Sequence, residues 1–470
     1  MSKTVRGSSR TVTGLSRTLK GAGIGIALAA TVTLAVPGAA SAAWPLDFGS
    51  LGGSGSAALA GGITEVNVTN DPSRLNGQPV VAVNPNNPNN LVYISANHVP
   101  DPDNHGEVGE FQCYSAYSMD RGKSWTKTEF PNGDRPFCGD PNVAVDSTGT
   151  FFTAFNRLGC PGTDDLSGAC PQGAGRVGVA RSVDGGKTWS APVDTTVFRA
   201  TTPRLRIDSA TDDVYVVGGP SGPSPHQVAV SSDNGLRWGP MAALPNQAFG
   251  NQIAVHDGVL ATANALAVDN NVVVPGEVRF FTSTDGGATF ASHAVTDSNG
   301  APARLPNGVA FPDNVGKTAT DPIPWVTADP TAHGRFAVML PDGNNFAVYV
   351  TADSGVTWAG PTTIPAAGAA KPWIEYGPDG QLGVMWRTLG NDTVNVYATV
   401  SFNGGTTFGP AVQINQAAQP FGFHYSSSGG DEFSRILFAG NDVYVTWGDG
   451  RTGGELDGIV ARAPLSMFQR

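Results

Sequence analysis

The chain has 470 residues, 40% of them hydrophobic and only 14% charged, with 61 glycines and 35 prolines. That content supports a sizeable core, and so much Gly and Pro suits short strands joined by turns better than long surface helices. The formal net charge of −11 disfavours a nucleic-acid partner, while leaving room for a local basic pocket.

Residues 1–42 read as a secretory signal peptide. Lys3, Arg6, Arg10, Arg17 and Lys20 form a basic start without acids, Ala22 to Val36 are apolar, and Ala40-Ser41-Ala42 is a small-residue cleavage site. Cleavage near Ala42 predicts a secreted, extracellular chain, and losing five of the 28 basic residues against 39 acids brings its net charge to about −16. The apolar stretch is short for a membrane span, and no other segment is long enough, so no span is expected after cleavage. Residues 43–62 are rich in Gly, Ser and Ala and read as a flexible linker. Residues 63–470 read as a single domain.

From Ile63 onward the pattern is all-β, and two repeats run through it. The first is an eight-residue turn with an aromatic end, opening with Ser118-x-Asp120-x-Gly122-x-Ser124-Trp125. Copies follow at Asp184 with Trp189, Asp233 with Trp238, Asp285 with Phe290 and Asp353 with Trp358; the sixth has Asn403 in place of Asp and ends on Phe408. Ser and Asp side chains close such turns by accepting backbone N–H groups, Gly supplies a positive φ, and the aromatic residue anchors the next strand. These six acidic or amide positions are therefore expected to be structural.

The second repeat is a hairpin start, often X-Pro. It begins at Gln78-Pro79, Asp140-Pro141, Thr202-Pro203, Asn251-Gln252, Asp321-Pro322, Lys371-Pro372 and Ser434-Arg435. Four strands per repeat make a β-propeller blade. Seven starts against six turns leave the last blade one strand short, and the lone strand Ile63–Val68 is predicted to complete it and close the ring. Seven blades are expected, with six as the second choice.

Cys113, Cys138, Cys160 and Cys170 fall in one region of an exported chain, an arrangement that predicts two disulfides, with Cys113–Cys138 and Cys160–Cys170 the favoured pairing of the three possible. Their spacing matches no zinc pattern. Asp101 and Asp103 bring oxygen ligands together, but no complete calcium loop is present; neither a metal nor a cofactor is expected.

The S-x-D-x-G-x-T-W turns resemble the Asp-box, or BNR repeat, of the sialidase superfamily, over about Ile63 to the C-terminus. The resemblance implies an Asp-box propeller whose boxes lie on the face opposite the active site. It places function where the innermost strands begin, near His98, Asp101, Asp103, His105, Glu107, Arg157, Asp321, Lys371 and His424. Sialidases clamp a substrate carboxylate with three arginines, and Arg presents a rigid donor fork for that purpose. Arg135, Arg387 and Arg451 are the candidates for substrate binding. A tyrosine nucleophile paired with a glutamate would be Tyr425 with Glu432, and the acid would be Asp140 or Asp101.

Each role has a structural alternative. Arg451 would instead pair with an acid and tie the closing blade, Asp140 would cap a blade start, and Tyr425 would be a surface aromatic. The histidines at 98 and 105 read as solvated loop residues. The Arg-Ile-Pro that opens sialidase domains has only Arg74-Leu75 as a counterpart, and seven blades differ from the six of true sialidases. The expected function is glycan-directed, with an exo-alpha-sialidase-like glycoside hydrolase as its enzymatic form and a monomer as its state. The alternative is a non-catalytic propeller binding glycan or protein partners on the same face.

Overall fold

The computed structural model describes residues 57–58, 62–100, 108–110, 112–135, 137–160, 175–198, 203–219, 226–245, 252–265, 268–269, 272–273, 276–305, 324–390, 393–417, 419–420, 434–452 and 456–469. The predicted signal peptide, most of the linker, Cys170, Tyr425 and Glu432 lie outside the described residues. So do Asp101, Asp103, His105, Glu107, Asp321 and His424.

Seven antiparallel sheets, each built on four strands, carry the fold. Their innermost strands are Val80–Val83, Phe137–Val145, Arg204–Ile207, Ala254–His256, Trp325–Ala328, Ala369–Tyr376 and Arg435–Ala439. Each touches the next in chain order and the seventh touches the first, closing a ring around a central channel. The molecule is thus a seven-bladed β-propeller, in agreement with the repeat count. The one helical turn among the described residues is Leu465–Phe468.

The seventh blade takes three strands from the end of the chain, and Thr64–Asn67 pairs antiparallel with Asp457–Pro464, Val66 opposite Val460. Asp457 locks this closure. Its carboxylate accepts hydrogen bonds from Asn67 Nδ2 at 2.8 Å, Thr69 Oγ1 at 3.0 Å and the Asp71 N–H at 3.0 Å.

The six turns repeat one hydrogen-bond pattern. In the first, the Gly122 N–H donates to Ser118 Oγ at 2.9 Å, while Ser118 Oγ donates to Asp120 at 2.8 Å. The Ser124 N–H and hydroxyl donate to the same carboxylate at 2.9 and 2.6 Å. Gly122, Gly186, Gly235, Gly287, Gly355 and Gly405 all have positive φ, between 75° and 96°, as the sequence predicts. In the sixth turn Asn403 Nδ2 donates to Thr407 Oγ1 at 2.9 Å, reversing the direction of that bond.

These turns also join blades. A Cβ on Gly186 would lie 2.4 Å from Val92 of the preceding blade, and one on Gly355 would lie 2.5 Å from Phe280. The missing side chain therefore lets each turn rest on its neighbour. The aromatic ends reach the same way: Trp358 meets Phe280 edge-on at 5.2 Å, and Trp189 Nε1 donates to Ser115 at 3.1 Å. Truncating one such buried aromatic costs about 3–5 kcal/mol, so these contacts between blades contribute to stability.

Candidate site at the blade starts of the central channel

Proline at the start of an innermost strand is tolerated because that strand is a sheet edge with no ladder donor required. The structure adds a consequence of the X-Pro pairs. In the second blade the register skips from Ala154–Asn142 to Asn156–Gly139, leaving Asp140 and Pro141 as a bulge. The sixth blade does the same at Lys371 and Pro372, between Ala370 and Trp373. Asp140, Lys371 and the equivalent Gln78 have φ of 50°, 49° and 55°. Left-handed backbone at three non-glycine residues before proline is a local cost of the kind found at functional sites, and bulges re-aim the side chains beside them.

Asp140 is held by both oxygens. Gln78 Nε2 donates to one at 2.6 Å and Asn156 Nδ2 to the other at 2.9 Å. Two residues on, Asn142 Oδ1 accepts from Arg435 Nη2 at 2.6 Å, while Arg435 Nη1 donates to the Val143 carbonyl at 3.2 Å. Arg435 begins the seventh blade's innermost strand, so this contact passes over the first blade to reach the second.

Arg204 and Arg206, from the third blade, meet Arg435 on the indole of Trp373. The three guanidinium carbons lie 5.3, 5.6 and 5.1 Å from its ring centre, within cation–π range. Glu375 is the carboxylate at their centre. It takes Arg206 Nη1 at 2.9 Å and Trp373 Nε1 at 3.0 Å on one oxygen, and Thr327 Oγ1 at 3.3 Å on the other. Burial pulls the Arg435 guanidinium well below its usual range; Arg206 and Arg204 push the same way and Glu375 opposes them. This cluster spans blades 2, 3, 5, 6 and 7.

The arginines singled out from the sequence keep three different sets of partners. Arg135 is buried and donates to the Gly159 carbonyl, with Asp194 at 4.0 Å. Asp194 also binds Arg157, which reaches Asp134 at 2.9 Å. Arg451 donates to Glu65 of the closing strand and to Asp449 at 2.6 Å, the tie named above as its structural alternative. Burial raises the Glu65 pKa despite Arg451, whereas the charges of Asp449 and Glu65 outweigh burial at Arg451 and raise its own. Arg387 is buried and donates to Ser434 Oγ through Nε at 3.1 Å and Nη2 at 2.6 Å. Among the three, Arg387 is thus the one joined to the cluster, through the residue before Arg435.

Cys113 and Cys138 form a disulfide between the first and second blades, with Cα atoms 5.7 Å apart, as the favoured pairing has it. Cys160 is buried, and its expected partner lies outside the described residues. His98 is buried rather than solvated; desolvation lowers its pKa to about 4, partly offset by a backbone hydrogen bond at Cys138. Among the described residues no group of three His, Cys, Asp or Glu side chains is placed to hold a metal ion. No helix there is long and apolar enough to cross a membrane.

Sequence reading missed Arg204, Arg206, Trp373 and Glu375 as site residues. The signal was present: the residue immediately after the proline, in the starts at Asp140, Thr202 and Lys371, is Asn142, Arg204 and Trp373.

No family model matches the chain, and no curated protein matches it. Among solved structures, the chain is similar to a protein of unknown function from Dyadobacter fermentans, at 14% identity over 85% of this chain and 97% of that one, with a TM-score of 0.44. It is also similar to the NanB sialidase of Streptococcus pneumoniae, at 11% identity over 68% of each chain and a TM-score of 0.42. A third is the Penicillium chrysogenum alpha-L-arabinanase, at 12% identity over 84% of this chain and 95% of that one, TM-score 0.41.

Proposed function

We propose that this chain is an exported, glycan-directed propeller that takes a carboxylate-bearing sugar where its innermost strands begin. The observation that carries this reading is the gathering of Arg204, Arg206 and Arg435 on Trp373. Guanidinium forks match a carboxylate's geometry, and an indole supplies the apolar surface a sugar ring packs on. In the enzymatic form of the proposal, the chain is a sialidase-like glycoside hydrolase. Tyr425 attacks the anomeric carbon with Glu432 as its base, Asp140 protonates the leaving oxygen, and Arg387 supports the clamp through Ser434.

One observation favours the second form, a non-catalytic propeller that only binds such a glycan. Both oxygens of Asp140 already accept amide donors. An acid catalyst needs an oxygen that carries a proton and faces the leaving group.

The test pairs two measurements on the mature chain: fluorophore release from a panel of 4-methylumbelliferyl sialosides, and calorimetric titration with N-acetylneuraminate. The hydrolase form expects turnover that Tyr425→Phe lowers by about 10²-fold or more. Binding without turnover, lost in Arg204→Met, selects the non-catalytic form. Neither turnover nor binding overturns both.

A further inference from the structure

The central channel is crossed rather than open. Arg206 of the third blade bridges to Glu375 of the sixth at 2.9 Å, and Arg435 of the seventh reaches Asn142 of the second at 2.6 Å. On the side of the eight-residue turns these contacts form the end of a cavity of about 410 Å³. Ala144, Val145, Ile207 and Leu437, all partly exposed, contribute to its apolar wall, Ser209 and Pro330 follow the strand ends on the turn side, and Arg206, Glu375 and Arg435 complete its lining. Trp373, Arg204 and Asn142 are absent from its lining, so the crossing contacts separate it from the blade-start side.

The charge at that inner end is unbalanced. Glu375 is saturated by Arg206, Trp373 and Thr327. Arg435 is 7% exposed, spends its two terminal nitrogens on neutral oxygens, and has a buried Nε with no hydrogen-bond partner. Two guanidinium groups thus face one carboxylate in a desolvated setting, where an uncompensated cation is costly. Arg206 keeps part of its surface exposed toward the cavity.

We infer that this cavity is a second ligand site, entered from the turn face, that takes a small organic carboxylate with an apolar body. The anionic head meets Arg206 and offsets the buried charge of Arg435, while the apolar body lies along the valine and leucine wall. The volume falls within the range of small-molecule sites. The site is entered from the face opposite the proposed glycan site but shares Arg206 and Arg435 with it.

Butyrate is the probe, butyramide its neutral isostere, and the mature chain the protein, with binding read by titration calorimetry. Butyrate is expected to bind roughly tenfold or more tightly than butyramide. Arg206→Met removes that preference; because it also breaks the bridge to Glu375, Ser209→Trp serves as the second variant, blocking the mouth and leaving the bridge intact. Ser209→Trp is expected to leave N-acetylneuraminate binding at the blade starts unchanged, which tells failure of this site from failure of the glycan reading. Equal affinity for the two probes, no butyrate binding, or binding untouched by Ser209→Trp overturns the inference. Loss of N-acetylneuraminate binding in Ser209→Trp overturns the separate entrance on the turn face.

Discussion

The carboxylates of the repeated turns show how a residue's bonding sets its response to acid. In Asp285, hydrogen bonds from the Thr289 hydroxyl and N–H and from Ser283 bring the pKa down to about 2. Asp120, Asp184, Asp233 and Asp353 are also lowered, by the same kinds of donor. A carboxyl whose folded pKa is depressed stabilises the fold above its unfolded value near 4, and that contribution is lost as the pH falls toward 2. Asn403 shows that the turn also forms with a group that does not titrate. We therefore expect Asp285→Asn to flatten the loss of stability between about pH 4 and pH 2, measured as the urea midpoint at several pH values. An unchanged pH slope would show that the turn carboxylate is not linked to folding. At this scale the sequence was informative for the turns, because the closing bonds of their Ser and Asp side chains are made within eight residues. It was not informative for Arg204 or Glu375, whose partners come from blades far along the chain.

Among the elements, the turn glycines divide by what lies beneath them. A Cβ at Gly235 would have its nearest neighbour, Phe152, at 3.6 Å, whereas at Gly186 it would meet Val92 at 2.4 Å. Both have positive φ, so both substitutions carry backbone strain of about 1 kcal/mol. Only Gly186→Ala adds overpacking of about 1–3 kcal/mol. Urea unfolding should rank Gly186→Ala well below Gly235→Ala, and equal losses would contradict the inter-blade role of the turn. The hairpin starts were legible as strands from their apolar runs. The bulges at Asp140 and Lys371 were not, since an X-Pro pair is also compatible with a regular edge strand.

The whole ring was legible because its unit repeats, and because seven starts against six turns left a strand to be found at the front of the chain. The site was legible only in part. Its central bridge joins residues 169 positions apart, and no local pattern marks such a pair. Arg135 and Arg451 were drawn from the right residue type at blade margins, yet Arg135 donates to the Gly159 carbonyl and Arg451 to Glu65 and Asp449. Closure itself is open to test. Val66 is 5% exposed in the closing strand, and Val66→Asp, which buries an unpaired charge there, should cost about 3 kcal/mol or more. The measurement is thermal unfolding beside a substitution at the exposed Val183, 80% accessible, which should change little. A ring indifferent to Val66→Asp would mean that the front strand is dispensable.

That closing strand also governs when the molecule can be finished. Thr64–Asn67 is made early and Asp457–Pro464 late, and Thr64 sits opposite Arg462, 398 positions along the chain. Six blades can assemble from neighbouring segments as they emerge, but the seventh has no outer strand of its own. The early strand must wait, its edge unpaired, until the final residues arrive. Synthesis is therefore expected to deliver an open arc until Asp457–Pro464 has emerged to pair with the early strand.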